Sequence, residues 1–279
     1  MNSLYEKHPC YNKESSCKYA RIHLPVSKNC NIKCNYCNRK YDCTNESRPG
    51  VTSKILSPQD ALSVYRIAKS KINNLTVVGF AGPGDTLVNF ENIKNTINLL
   101  KKENDNVIYC LSTNGLMLPQ YANDIIEMGI THVTITINAV DPEIGANIYD
   151  WINYENVIIR GVEAFKILLH NQLQGLKYLT DNNVQCKVNI VAIKDINEFH
   201  IQDIVKVVKD NGACKTNIIQ HIPVEKTKFE SLETLTPVKM QEIRNNCSQI
   251  LEQIYHCKRC RADSAGLLNK DEYHKIYNN

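Results

Sequence analysis

The chain has 279 residues, of which 43% are hydrophobic and 22% are charged, and its formal net charge is +4. This composition is typical of a soluble globular protein, and the length suits one α/β barrel-sized unit. The charge is too small to indicate nucleic-acid binding, and no apolar run reaches membrane-spanning length. Residues 1–10 are too polar for a signal peptide.

Strand-like and helix-like segments alternate six times along the chain. The predicted strands are residues 19–26, 75–80, 107–112, 132–140, 184–194 and 216–224. The predicted helices are residues 58–72, with Ser57 as N-cap, and residues 90–102, 119–128, 161–180, 201–209 and 237–256. This alternation predicts a parallel sheet with right-handed crossovers, in which functional residues gather at the carboxyl ends of the strands.

The loop after the first predicted strand carries the most informative motif, Cys30-Asn-Ile-Lys-Cys34-Asn-Tyr-Cys37. Three thiolates can bind three irons of a [4Fe–4S] cluster and leave the fourth iron open. A radical S-adenosylmethionine (SAM) enzyme needs that open iron to chelate SAM and release a 5′-deoxyadenosyl radical. The alternatives are a ferredoxin-like electron carrier or cysteines adjacent by chance. A structural zinc site would need a fourth ligand, and no partner pair lies nearby.

Small and polar residues follow the next strands. Gly82-Pro83-Gly84 comes directly after the second predicted strand, and glycine lets a backbone approach a ligand closely. Thr113, Asn114 and Asn138 lie at the ends of the third and fourth strands. They can bind SAM through hydrogen bonds, although residues of these types also occur in ordinary turns.

Two further groups of residues can each bind a cluster. One imidazole and two thiolates from His23, Cys10 and Cys110 form the first group, although a lone histidine on a strand is usually structural. Cys257 and Cys260, predicted on one face of a helix end, form the second group with Cys43. The alternative for that pair is a zinc knuckle, which lacks a nearby fourth ligand.

The remaining cysteines match no spacing, and we expect buried structural thiols at Cys17, Cys186, Cys214 and Cys247. The chain has twelve cysteines, and their metal-type spacings favour a reducing cytoplasm over a disulfide framework.

The sequence around these motifs resembles one family. Five segments carry the resemblance, namely His8-Pro9-Cys10, Asn35-Tyr36-Cys37-Asn38-Arg39-Lys40-Tyr41-Asp42-Cys43, Asn45-Glu46-Ser47-Arg48-Pro49-Gly50, Ala81-Gly82-Pro83-Gly84-Asp85, and Cys257 followed by Cys260-Arg261-Ala262-Asp263. Together they are similar to NifB proteins, the radical SAM proteins of nitrogenase cofactor biosynthesis, from His8 to Asp263.

The resemblance implies an α/β fold, a partial (β/α)6 TIM-like barrel of the radical SAM type. Residues 19–224 would form the barrel, residues 1–18 an N-terminal cluster-binding extension, and residues 225–279 a helical C-terminal extension. Three [4Fe–4S] clusters are implied, one that binds SAM and two that are substrates. Their ligands would be Cys30, Cys34 and Cys37 for the first, Cys10, His23 and Cys110 for the second, and Cys43, Cys257 and Cys260 for the third.

The reaction implied by the family fuses the two substrate clusters, with a sulfide and a central carbide, into an [8Fe–9S–C] precursor of the nitrogenase cofactor. One SAM would donate its methyl group to a cluster sulfide, and a second would be cleaved to a radical that removes hydrogen from that methyl. The implied partners are iron–sulfur cluster donors, a low-potential electron donor and downstream carrier or scaffold proteins. The chain would be a short form without the carrier domain that some members have.

The resemblance also assigns roles to individual side chains. His23 would be a neutral ligand and a candidate base. Glu46 and Arg48 would position the open iron and the SAM carboxylate, with a surface salt bridge as the alternative. The predicted SAM contacts are Tyr36, Gly82, Pro83, Gly84, Asp85, Thr113, Asn114 and Asn138.

Two other functions fit part of the pattern. A radical SAM maturase with auxiliary electron-transfer clusters would carry a longer C-terminal cysteine array than Cys257 and Cys260. A non-catalytic iron–sulfur scaffold would need neither the open-iron motif nor the glycine-rich loop. SAM-dependent release of 5′-deoxyadenosine separates that scaffold from both enzymes.

Overall fold

A computed structural model describes residues 5–277, and its strands and helices within that range alternate along most of the chain. The strands are β1 (Ala20–His23), β2 (Ile32–Cys34), β3 (Leu75–Phe80), β4 (Ile108–Thr113), β5 (Ile130–Thr136), β6 (Tyr149–Tyr154), β7 (Val157–Arg160), β8 (Gln185–Ala192), β9 (Lys215–Gln220), β10 (Ala265–Leu267) and β11 (Lys270–Asp271). The helices are α1 (Pro58–Lys71), α2 (Phe90–Lys101), α3 (Leu118–Glu127), α4 (Pro142–Ile148), α5 (Gly161–Asp181), α6 (Ile201–Asp210), α7 (Pro237–Ser248) and α8 (Tyr273–Tyr277).

Six parallel strands form most of the main sheet, in the spatial order β1-β3-β4-β5-β8-β9. Each is followed in the chain by a helix, so six β/α units succeed one another as in the predicted partial TIM-like barrel. The predicted α/β fold class is therefore confirmed. The buried apolar side chains of these strands and helices form one large core between the two layers.

Several helices begin at side-chain caps that can be read from the sequence. The Ser57 hydroxyl accepts a hydrogen bond from the Asp60 amide at 3.1 Å, and the Asp60 carboxylate accepts one from the Ser57 amide, a capping box with Pro58 in the first turn. The predicted N-cap is thereby confirmed. The Asp141 and Thr236 side chains cap α4 and α7 by accepting hydrogen bonds from backbone amides of the first turn.

A small antiparallel sheet, β2-β6-β7, has no counterpart in the sequence prediction. Its hairpin turns at Glu155 and Asn156, both with positive φ (50° and 64°). Such turns usually carry glycine, which explains why the hairpin escaped prediction. Since β2 lies inside the Cys30–Cys37 motif and pairs with β6, this sheet fixes the motif loop.

The C-terminal part differs from the predicted long helix. Helix α7 ends at Ser248, because residues beyond it run beside β9, where the Thr216 amide donates to the Glu252 carbonyl at 2.9 Å. Cys257 and Cys260 consequently lie in a loop rather than on a helix, so that prediction was wrong. Strand β10 then pairs antiparallel with β1, which extends the sheet.

None of the helices in the described range has the length and apolar character needed to cross a bilayer. The four cysteines expected to be buried divide into two groups: Cys186 and Cys247 are buried, whereas Cys214 is half-buried and Cys17 is exposed. The prediction of burial was therefore wrong for Cys17.

Candidate active site

Two adjoining cavities lie at the carboxyl ends of the parallel strands. The larger, chamber A, comprises about 750 Å³ of space, part of it open to solvent, and is lined by the predicted cluster ligands Cys10, His23, Cys110, Cys257 and Cys260. The smaller, chamber B, comprises about 480 Å³, also partly open to solvent, and is lined by Cys30, Cys34, Cys37 and Cys43. Asn45, Glu46 and Ser112 line both cavities and form the wall between them.

The motif loop brings its three thiols to chamber B. The Cys37 amide donates to the Cys34 carbonyl at 3.1 Å, and the Lys33 ammonium donates to the Cys37 carbonyl at 2.7 Å. Burial raises the pKa of the Cys30 thiol to about 12 and that of Cys34 well above its usual range. Three cysteine side chains on one wall are a donor set that a metal cluster can bind as thiolates, so these residues fit the predicted [4Fe–4S] cluster.

The glycine-rich loop packs against the chain just before Cys30. A Cβ on Gly84 would lie 2.0 Å from the Asn29 carbonyl oxygen, so only glycine fits at this position. The Gly84 amide donates to the Ser27 carbonyl at 3.0 Å. Gly84 and Asp85, two of the predicted SAM contacts, line chamber B, while Gly82 and Pro83 shape the loop behind them.

Asp85 organises the end of β4. Its carboxylate accepts hydrogen bonds from the Thr113 hydroxyl at 3.0 Å and from the backbone amides of Asn114 and Leu87. Burial raises the pKa of Asp85 to about 6 despite these donors. Thr113 and Asn114 also line chamber B, and the Asn114 amide group lies 3.8 Å from the Cys30 sulfur. The predicted strand-end polar residues are thus held against the cluster motif.

Tyr36 and Asn138 are buried in a network of hydrogen bonds instead. The Asn138 side chain donates to the Tyr36 hydroxyl at 2.7 Å and accepts from the Val191 amide at 2.8 Å. Tyr36 in turn donates to the Asn45 side chain at 2.8 Å. Neither residue is among those that line chamber A or chamber B. The two side chains therefore support Asn45 of the shared wall.

Chamber A is built across three neighbouring strands. His23 on β1 pairs in register with Gly79 on β3, which pairs with Cys110 on β4. A Cβ on Gly79 would lie 2.9 Å from His23 Cδ2 and 3.1 Å from Cys110 Sγ, so the absent side chain lets the two ligands approach each other. His23 Nδ1 lies 3.2 Å from the Arg261 carbonyl oxygen. Because that carbonyl is an acceptor, Nδ1 carries the proton and Nε2 keeps its lone pair.

The C-terminal loop carries Cys257 and Cys260 over the same chamber. The buried Arg21 guanidinium donates to the Cys260 sulfur at 3.0 Å and anchors β10 through the Leu267 carbonyl at 2.9 Å. Burial raises the pKa of Cys10 to about 11, and its other neighbours include Cys260 and Cys257. Five predicted ligands from distant parts of the chain therefore meet in one cavity.

Two predicted residues lie elsewhere. Cys43 lines chamber B with the motif cysteines, and it is not brought together with Cys257 and Cys260. The Arg48 side chain is exposed and lines neither chamber, although its backbone amide donates to the Cys260 carbonyl at 3.1 Å. That position gives no support to contact between Arg48 and the SAM carboxylate.

Several site residues escaped the sequence prediction. Gly79 and Lys187 line chamber A, Arg39 lines chamber B, and Arg21 contacts Cys260. A glycine, a lysine and an arginine inside otherwise apolar strands were available signals for Gly79, Lys187 and Arg21. Among residues 5–277, no group of three or more His, Cys, Asp or Glu side chains is arranged to hold a single metal ion, whereas in a [4Fe–4S] cluster each thiolate binds a different iron.

Comparisons with known proteins agree with this architecture. The model of the Radical SAM superfamily matches residues 24–208. The chain is 42% identical to the "FeMo cofactor biosynthesis protein NifB" of Chlorobaculum tepidum over 96% of its length and 64% of that protein. It is 43% identical to the protein of the same name from Frankia alni, over 95% of this chain and 53% of that protein.

The chain therefore spans between about half and two thirds of the length of these relatives. A solved structure, "Native anSMEcpe with bound AdoMet", superposes with a TM-score of 0.57 at 17% identity, over 84% of this chain and 63% of that one. That likeness concerns the fold alone. The superfamily match covers most of the barrel and includes the motif that lines chamber B, so the chain belongs to the radical SAM superfamily.

Proposed function

We propose that this chain joins two [4Fe–4S] substrate clusters, a SAM-derived carbide and an extra sulfide into an [8Fe–9S–C] precursor of the nitrogenase cofactor. The similarity to two NifB proteins over nearly the whole chain supports this proposal. One observation carries it: five predicted cluster ligands line a single chamber that shares a wall with the cavity of the SAM-cluster motif. An enzyme that fuses clusters needs such a neighbouring chamber, because the substrate must meet the radical without escaping.

Cys30, Cys34 and Cys37 would hold the resident cluster, with Gly84, Asp85 and Asn114 around SAM. That cluster supplies the electron for reductive cleavage of SAM. Arg39 lines chamber B, held by hydrogen bonds from its guanidinium to the Pro83 and Lys28 carbonyls, and its charge would compensate the negative charge of the loaded site. Every other step depends on side chains of chamber A and of the shared wall.

His23 is the residue best suited to accept a proton in chamber A. Burial, and then the charge of Arg21, lower the pKa of His23 to about 4, so its imidazole is neutral at pH 7. With the proton on Nδ1, the Nε2 lone pair is free to ligate a substrate cluster or to take a proton from the carbon intermediate. Both roles require that the Nε2 lone pair faces chamber A.

The two substrate clusters would be bound by the groups proposed from the sequence, three-ligand sites that leave an iron free to couple. Cys10, His23 and Cys110 all line chamber A and suit the first cluster. Cys257 and Cys260 suit the second, while Cys43, the third member of that group, lines the adjoining chamber B. The proposed partners are iron–sulfur cluster donors, a low-potential electron donor and a carrier protein that receives the product.

Anaerobic purification, iron and sulfide counts, and turnover with dithionite and SAM test the proposal. We expect about twelve irons per chain for three cubes, release of S-adenosylhomocysteine and 5′-deoxyadenosine, and activation of cofactor-free nitrogenase by the product. Cys110→Ala should reduce the iron count to about eight, whereas Cys17→Ala, an exposed cysteine outside both chambers, should leave it unchanged.

Other outcomes would contradict the proposal. Four irons with 5′-deoxyadenosine alone would leave a radical SAM enzyme without substrate clusters. Twelve irons without any cleavage of SAM under strong reductant would indicate a scaffold that stores clusters.

A further inference from the structure

Lys187 is a largely buried lysine that makes no ion pair within the described residues 5–277. Its side chain extends from β8 into the wall of chamber A, and the residue is 9% exposed. In the same range its ammonium group makes no side-chain hydrogen bond, and it lies over the Tyr11 ring, whose centroid is 5.0 Å away. An ammonium group that faces a cavity with so little solvent contact favours an anion as its partner.

The neighbouring lysine in this sheet, Lys215, has an anionic partner. Lys215 lies beside Lys187 in the register of β8 and β9, and its ammonium pairs with the Glu252 carboxylate at 2.5 Å. The acidic residue that lines chamber A is Glu46, which makes no ion pair with Lys187 within 4.0 Å, so the two charges interact only at longer range. Lys258 and Arg259 add further positive charge to the lining.

Lys187 lines the same chamber as the predicted ligands of one substrate cluster, namely Cys10, His23 and Cys110. An anion held in that chamber therefore lies within the electrostatic field of the ammonium group.

The wall next to Lys187 is polar as well. Asn189 follows on the same face of β8, and the Asn217 side chain of β9 donates to it at 3.1 Å. Thr134 of β5 pairs in register with Lys187 and also lines the chamber. This patch offers a positive charge with neutral hydrogen-bonding groups around it, which suits a small inorganic anion.

We propose that Lys187 forms an anion subsite in chamber A, which binds the hydrosulfide that supplies the extra sulfide of the product. This inference rests on the proposed function, which consumes one sulfide beyond those of the two substrate clusters. Hydrosulfide carries one negative charge near neutral pH, and entry into a buried cavity removes its hydration. A fixed ammonium group compensates that loss of hydration with an opposite charge.

The test is calorimetric titration of sodium sulfide into anaerobically purified, cluster-loaded protein at pH 7.5. We expect Lys187→Met to weaken hydrosulfide binding at least tenfold with an unchanged iron count, and Lys187→Arg to stay within about threefold of the parent. Lys258→Met removes an equal charge from an exposed position of the lining and should change the affinity by less than about twofold.

Three results would overturn the subsite. The first is equal hydrosulfide affinity in Lys187→Met and the parent, and the second is an equal loss of affinity in Lys258→Met. The third is loss of iron from Lys187→Met, which would show that the ammonium group holds a cluster instead. Failure of the proposed function is distinguishable. Lys187-dependent binding in a protein that makes no eight-iron product would remove the function and keep the subsite. Product formation together with hydrosulfide binding that does not depend on Lys187 would keep the function and remove the subsite.

Discussion

Gly79→Ala should disrupt the first substrate-cluster site while leaving the SAM-cluster site intact. Gly79 lies on β3 between His23 and Cys110, and a Cβ there would lie 2.9 Å from His23 Cδ2 and 3.1 Å from Cys110 Sγ. Carbon atoms pack at about 3.5–4.0 Å, so each ligand must move by roughly 0.5 Å. Metal sites tolerate ligand displacements of about 0.2 Å, so the predicted site cannot keep its geometry.

The expected result is an iron count near eight rather than about twelve per chain, with SAM cleavage retained and the fused product lost. Overpacking should also cost about 1–3 kcal/mol of unfolding free energy. Iron assay, 5′-deoxyadenosine release and nitrogenase activation measure the three parts separately. Retained SAM cleavage shows that the variant is folded, because chamber B lies on the other side of the Glu46 wall.

Gly129→Ala is the matched control, because an added Cβ there meets no atom within 4 Å. Its φ of +69° should cost about 1 kcal/mol of stability without any change in iron content. A Gly79→Ala protein with a full iron count and normal product would refute the argument that this glycine sets the approach of His23 to Cys110.

Three further predictions concern single side chains. His23→Ala should keep SAM cleavage but abolish the fused product. His170 is an exposed histidine of α5, so His170→Ala should have no effect. Normal product from His23→Ala would remove His23 from the mechanism. Burial raises the pKa of Glu46 from 4.5 to about 7, so the folded cluster-free protein binds this proton more tightly than the unfolded chain. The tighter binding stabilises the fold fully below pH 4.5, and this stabilisation is lost as the pH rises through 7. Relative to Glu46→Gln, the parent should therefore lose about 2–3 kcal/mol of unfolding free energy between pH 4.5 and 8 in denaturant titrations, and a constant difference would contradict the assignment. Ser57→Ala removes the cap of α1, so it should cost about 1 kcal/mol and lower the melting temperature by about 2–4 °C, with iron content and SAM cleavage unchanged.

Local sequence determined the barrel and the first cluster motif. The alternation of apolar strands and amphipathic helices sets the six parallel strands and their crossovers, because each period depends on residues a few positions apart. Cys30, Cys34 and Cys37 fall within eight residues, so any compact loop gathers them in one place. The Ser57 cap and the glycine-rich loop at Gly84 were predictable from the sequence because they too depend on residues close together in the chain.

Tertiary structure alone decided the contents of chamber A. His23, Gly79 and Cys110 meet through the registers of three strands, and no local pattern encodes which residue of one strand faces which residue of the next. The loop position of Cys257 and Cys260 follows from the segment that pairs beside β9, a contact between distant parts of the chain that outweighed helical propensity. The unpaired charge of Lys187 is likewise a property of the assembled chamber, because only the fold determines which carboxylates can reach a given ammonium group.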